Sequence, residues 1–241
     1  MNNSANTTFL RHIVFWRGLL CLFFLCICGC KGYSFLSLED IQPGDLQQRL
    51  LNHKTNLTDI KISGELNNKD ILYLENIITE SDLLSRLDLS ECSVSLPNHA
   101  FAGSQYLEDV ILPKKCEILP HHLFSGCISL KKIIVPSGCE IIEEEAFSDC
   151  SNLKSVKLPE SLEIIKRGAF KGCKQISQIF CASKEPPTCE SQVFDDILNC
   201  ELIVPKGCAK YYRNAIGWEN FKEISEDKHV AEDFDTKWGK N

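Results

Sequence analysis

Apolar positions recur along residues 105–173 with a period of 23, in three successive copies: QYLEDVILPKKCEILPHHLFSGC, ISLKKIIVPSGCEIIEEEAFSDC and SNLKSVKLPESLEIIKRGAFKGC. The set Leu107/Val110/Leu112 returns as Leu130/Ile133/Val135 and Leu153/Val156/Leu158, while Phe101, Phe124, Phe147 and Phe170 keep the same interval. The register continues back to Leu87/Leu89 and forward to Ile179/Cys181 and Leu202/Val204. A fixed period of this length marks a solenoid, in which each repeat is one turn of a coil and buries its apolar face against its neighbours.

Within each V-x-L the two apolar residues lie two apart and face one side of a short strand. Pro113, Pro136 and Pro159 follow, and a residue without an N–H ends the strand. A pair such as Ile141-Ile142 or Ile164-Ile165, and then the phenylalanine, completes the core of the turn. Six strands are expected in one register, with an earlier one in Leu57-x-x-Ile60-x-Ile62. The expected fold is an α/β-type solenoid of 23-residue repeats with a parallel β-sheet on one face, a helical N-terminal cap and a C-terminal cap. Strands of adjacent turns would stand ~4.8 Å apart, so outward residues would form columns at that spacing.

The ends of the chain read differently. Residues 1–29 carry Arg11 and Arg17 ahead of an apolar run from Gly18 to Gly29. That run is shorter than the ~20 apolar residues of a membrane span and has the length of an export signal. It closes on Ile27-Cys28-Gly29-Cys30, which resembles the bacterial lipobox and implies a lipid on Cys30 after cleavage; an ordinary secretory peptide or an uncleaved anchor is the plain alternative. Residues 30–44 then form a linker and residues 45–81 an N-terminal capping unit. Pro43-Gly44-Asp45 reads as a turn and N-cap ahead of a short helix. Asn67-Asn68 caps a second helix whose apolar face is Ile71, Leu72, Leu74 and Ile78.

Repeats fill residues 82–198, where Glu185-Pro186-Pro187 replaces the usual L-x-x-I and should make the turn over 182–198 loop differently. Residues 199–224 hold the last strand and a C-terminal cap, in which Tyr211, Tyr212, Trp218 and Phe221 fold over the open core edge. Residues 225–241, mostly charged or polar, read as a disordered tail.

The frame A-F-x-G-C-x-x-L-x-x-V-x-L-P-x-x-L-x-x-I resembles the BspA-like leucine-rich repeat, a bacterial cell-surface class. The segment LIVPKGCAKYYRNAIGWENFKEI is similar to the C-terminal unit of such proteins in gut and oral bacteria, and Leu57, Gly64, Asn67, Asp70 and Leu87-Asp88-Leu89 resemble their entry unit. The resemblance covers residues 45–224. It implies a right-handed leucine-rich-repeat solenoid, secretion and, for some members, adhesion to host proteins or other bacteria. It brings no catalytic motif.

The formal net charge is −7, and −9 once residues 1–29 with their two arginines and no acid are set aside. Such a surface does not favour nucleic acid, whose phosphates call for Lys and Arg. Of fourteen cysteines, four (Cys21, Cys26, Cys28 and Cys30) lie in or end the signal, leaving ten. Cys127, Cys150 and Cys173 occupy one repeat position and Cys116 and Cys139 another, so they read as buried free thiols, although neighbouring turns lie within disulfide range. There is no C-x-x-C, G-x-S-x-G, H-E-x-x-H or phosphate loop. The chain is therefore read as neither an enzyme nor dependent on a cofactor. One constellation could hold a metal: His99, His122 and Glu145 fall 23 apart on the edge of the coil, beside His121. Solvent exposure explains the same residues more simply, and Gly168 ends the column.

The stronger candidate is the outer face of the sheet. Residues alternating with the buried ones are Asp109/Ile111, Lys132/Ile134, Ser155/Lys157, Gln178/Phe180 and Glu201/Ile203. Ile111, Ile134, Phe180 and Ile203 make an apolar strip, and contiguous exposed apolar area often marks a contact surface. Strand propensity alone is the bland reading. The sequence thus points to a lipid-anchored protein of the bacterial outer membrane, on its cell-surface or periplasmic side. It would bind a protein or glycan through this face. An inert envelope scaffold and a metal-binding protein built on the histidine column are the alternatives.

Overall fold

The computed structural model describes residues 34–51, 53 and 57–230; the segment expected to be an export signal, Cys30 and residues 231–241 lie outside them. The longer of its two sheets contains β1 (Phe35–Ile41), β2 (Asp59–Glu65), β3 (Arg86–Ser93), β4 (Asp109–Ile111), β6 (Lys132–Ile134), β8 (Ser155–Leu158), β10 (Gln178–Cys181), β12 (Glu201–Pro205) and β13 (Glu223–Asp227), in that spatial order. The shorter sheet orders β5 (Ile118–Leu119), β7 (Ile141–Ile142), β9 (Ile164–Ile165) and β11 (Thr188–Cys189). All pairings are parallel, as expected when each turn repeats the path of the last. The fold is a leucine-rich-repeat solenoid.

The 23-residue register is kept from β3 to β12: Leu87 pairs with Val110, Ile133 with Val156, Val156 with Ile179, and Ile179 with Leu202, all buried. Phe101, Phe124, Phe147, Phe170 and Phe194 stack through the interior with ring centroids 5.2–5.7 Å apart. The spacing is close to the strand repeat, so one ring per turn fills the wall opposite the long sheet.

The segment expected to be a linker, 30–44, contains β1, whose Leu38 and Ile41 are buried against β2. The segment expected to be a disordered tail, from 225, begins inside β13, which pairs with β12 over Glu201–Pro205. Both are edge strands whose few apolar residues do not restate the 23-residue frame, so little pattern announces them. Between β1 and β2 lies α1 (Leu46–Leu50), and between β2 and β3 lies α2 (Asn68–Glu80). Asp45 precedes α1 but makes no side-chain cap. The carboxylate that does so is Asp70, which accepts from Gly44 N at 2.7 Å, Leu46 N at 3.2 Å and Asn67 N at 3.0 Å. Asn67 caps α2 as expected, in a reciprocal box with Asp70. Ile71, Leu74 and Ile78 are buried, whereas Leu72 is exposed; at 100° per residue it turns away from the other three.

The irregular turn over 182–198 carries one extra residue before β11 and one fewer after Phe194. Ile164 consequently pairs with Thr188, 24 positions on, while Gln178 and Glu201 keep the interval of 23. Beyond β12, the short α3 (Ala209–Tyr212) leads into Trp218 and Phe221. Tyr212, Trp218 and Phe221 are buried, with Trp218 centred 5.0 Å from Phe194 and 5.2 Å from Tyr212. Tyr211, expected beside them, is exposed and has Lys210 Nζ 4.8 Å above its ring.

Candidate functional site

Parallel in-register pairing turns the outward residues of the long sheet into two columns. The first runs Asp59, Arg86, Asp109, Lys132, Ser155, Gln178, Glu201. Opposite charges alternate along its first half: Arg86 lies 3.4 Å from Asp59 and 3.6 Å from Asp109, and Lys132 lies 3.5 Å from Asp109. Its second half is tied by Gln178 donating to Glu201 at 3.3 Å and Ser225 donating to Glu201 at 2.7 Å. Between these halves the Ser155 hydroxyl is buried and has no hydrogen-bond partner among the described residues.

The second column is Asp88, Ile111, Ile134, Lys157, Phe180, Ile203, Ser225. It is less open than its alternation predicts. Ile111 is 45 % exposed and Ile134 and Phe180 are half-buried, but Lys157 is 3 % exposed and Ile203 8 %. Lys157 is flanked by Ile134 and Phe180, one strand away on either side; Ile203 lies between β10 and the unforeseen β13. Alternation tells which side of a sheet a residue takes, and the neighbouring strands decide how far it is covered. The accessible strip is therefore Ile111, Ile134 and Phe180, beside Asp109, Lys132 and Gln178.

The histidine column has a backbone explanation. His99, His122, Glu145, Gly168 and Gln192 have φ of 65°, 54°, 53°, 64° and 61°, so all stand at one left-handed turn position of successive turns. That conformation admits glycine freely and other residues at a cost. The rings of His99 and His122 stack face to face with centroids 4.7 Å apart, and Glu145 Oε2 lies 3.5 Å from His122 Nδ1. No group of three ligating side chains fit for a metal occurs among the described residues. His121 instead lies with Nε2 3.0 Å from Glu143 Oε2 and Nδ1 3.9 Å from Glu144 Oε2. Lys166 and Arg167 in the next turn pair with Glu143 and Glu144, each at 2.9 Å.

All ten described cysteines are free and buried. The repeat thiols do more than fill space: Cys127, Cys150 and Cys173 donate to the carbonyls of Phe101, Phe124 and Phe147 in the preceding turn, at 3.0, 3.1 and 3.0 Å. Burial pushes the thiols of Cys127 and Cys139 up to about 12, so they remain protonated donors at neutral pH.

One surface escaped the sequence reading. Ile118, Ile141 and Ile164 begin two-residue strands whose second members, Leu119, Ile142 and Ile165, are buried. Only the second member serves the core; the first faces outward, with Ile118 49 % exposed. Two adjacent residues of a strand cannot both face inward, which was the available signal.

No curated protein matches the chain. Among solved structures, a leucine-rich cell surface protein of Faecalibacterium prausnitzii is 25% identical over 51% of this chain and 25% of its own, with a TM-score of 0.35. A leucine-rich repeat protein of T. pallidum is 21% identical over 70% and 56%, with a TM-score of 0.36. One from Bacteroides ovatus is 20% identical over 73% and 62%, with a TM-score of 0.37. The chain thus spans from a quarter to under two thirds of the length of these proteins. The model of the BspA type leucine rich repeat region matches residues 74–201 in six copies, more than half of the sequence, and the chain belongs to that family.

Proposed function

We propose that this is an exported repeat protein, lipid-anchored through Cys30, that holds a macromolecular partner (protein or glycan) against the outward face of its long sheet. Binding rests on shape, apolar contact and flanking charge, without catalysis or a cofactor. The observation that carries this reading is the accessible strip Ile111, Ile134 and Phe180 beside a charge ladder that neutralises itself. Apolar surface bordered by satisfied polar groups can be covered at little desolvation cost, and solenoids bind through such extended faces. The lipobox resemblance supports the anchor, on the outer membrane.

The test has two arms. Protease treatment of intact cells expressing the full chain should remove the protein, and cells carrying Ile134→Lys with Phe180→Lys should lose adherence to an immobilised glycoprotein surface. A chain that survives until lysis, or adherence indifferent to the double substitution, replaces this reading with an inert envelope scaffold.

A further inference from the structure

We infer that residues 231–241 fold back over the outward face of the long sheet and lie along the strip Ile111, Ile134 and Phe180, so that a partner has to displace them. The displacement rests on the binding role proposed above; the docking itself does not. The chain leaves β13 through a turn in which Val230 N donates to Asp227 O at 3.5 Å and His229 N to Asp227 Oδ1 at 2.9 Å. Such a turn reverses the chain. Val230 ends it 5 % exposed yet does not belong to the interior core, and Ile203 on the outward column combines the same two properties. A chain reversed at the end of β13, with its last turn residue buried outside the interior, is directed over the outer side of the sheet.

The segment that follows reads Ala-Glu-Asp-Phe-Asp-Thr-Lys-Trp-Gly-Lys-Asn. In extended form one face carries Glu232, Phe234, Thr236, Trp238 and Lys240, since side chains two apart point the same way. Eleven residues at ~3.3 Å each span ~36 Å, and the five strand spacings from β13 to β4 amount to ~24 Å. Measured from β13, Phe180 lies ~10 Å along the sheet, Ile134 ~19 Å and Ile111 ~24 Å. Counted from Val230, Phe234 lies ~13 Å along the segment and Trp238 ~26 Å. One aromatic therefore falls between Phe180 and Ile134, and the other at Ile111.

The order of charges agrees. From β3 to β13 the strip's own column holds two charged residues, Lys157 between Ile134 and Phe180, and Asp88 beyond Ile111. The same face of the segment meets them in that order, with Glu232 leading and Lys240 trailing. Lys157 is 3 % exposed, and a buried ammonium requires negative charge beside it. Glu232 brings a carboxylate there, while Asp233, Asp235 and Lys237 turn to water.

Trp238 reports on the docking. Its emission is isolated as the difference between the full chain and its Trp238→Phe variant, and its quenching by acrylamide is compared with that of a synthetic peptide of residues 231–241. In the native chain the emission should lie at shorter wavelength than the peptide's and should quench less. Ile111→Lys and Glu232→Lys should each return both quantities to the peptide's values, with circular dichroism confirming that the variants fold. Ile118→Lys, at an equally exposed position on the shorter sheet, should change neither. Peptide-like emission in the native chain, or an equal response to Ile118→Lys, overturns the proposal. So does an emission that shifts with protein concentration, which would put a second copy on the strip. In the adherence assay, Phe234→Ala with Trp238→Ala should bind more than the native chain. Shielded Trp238 in a chain that never adheres, or whose adherence ignores that double substitution, supports the docking and overturns the displacement.

Discussion

Between Leu84 and Cys181 most ion pairs join residues 23 positions apart, as for Lys114 with Glu91, Lys131 with Glu108 and Arg167 with Glu144. At the two ends the separations are irregular. Asp70 reaches back 26 residues to Gly44 and 24 to Leu46. Trp218 Nε1 donates to the Pro187 carbonyl 31 residues earlier at 2.8 Å, and the Tyr212 hydroxyl to the Ser183 carbonyl at 2.7 Å. The middle is held by a contact repeated many times, the ends by contacts made once. A repeated contact can be lost and its cost shared among neighbouring turns, whereas a single buried link has no substitute.

The largest expected effect lies in the middle and engages many turns together. Cys92, Cys127, Cys139 and Cys200 are held at about 12 by burial, against an ordinary thiol near 9.0, and Cys116 and Cys181 at about 11. The folded chain therefore keeps protons that the unfolded chain gives up. Stability from these thiols is fully present below pH 9 and is lost as pH rises from 9 towards 12, at about 1.4 kcal/mol per thiol per pH unit. Urea titrations at pH 7, 8, 9 and 10 should show no thiol-dependent loss over the first step and a steep one over the last. A flat profile to pH 10 would mean that the thiols are bonded to one another.

Next comes the entry end, where Asp70→Ala should cost about 4 kcal/mol, since it leaves three backbone donors without their charged acceptor. A variant as stable as the native chain would erase the contrast between single and repeated contacts. Gly64→Ala should follow with about 3 kcal/mol. Gly64 has φ of 120°, and a Cβ there would collide with the backbone of Ile41 in β1. If the β1–β2 pairing is what fails, hydrogen exchange should speed up over residues 35–41 before the repeats respond. The smallest effect is a gain: Ser155→Ala removes an orphaned hydroxyl and should stabilise the chain by about 1 kcal/mol in thermal or urea unfolding.

The same division decides what could be read from the sequence. Val110, Ile133, Val156 and Ile179 declare their strands because every turn restates one pattern. Leu38 and Ile41 of β1, three apart across a register shift, offer no such repetition. In β13 only Ile224 packs against the core, and backbone bonds to β12 supply the rest. The candidate face was legible in direction and illegible in depth: its residues are those the alternation named, but the burial of Lys157 and Ile203 depends on strands beside them. For His99, His122 and Glu145 the period was visible and its cause, a left-handed backbone, was not.

β13 has one more consequence. A stack of parallel strands ends in a row of unpaired backbone groups, and such an edge invites the next molecule to continue the sheet. Here the last strand among the described residues reads Glu-Ile-Ser-Glu-Asp, with Glu223, Glu226 and Asp227 exposed. Glu226 also accepts the Ala209 N–H at 3.0 Å, and the backbone donors around it hold its carboxyl below the usual range, so it stays charged. A second coil approaching end-on would have to bury three carboxylates to add its own first strand. Charge on β13 thus opposes the addition of another molecule's strand beside it.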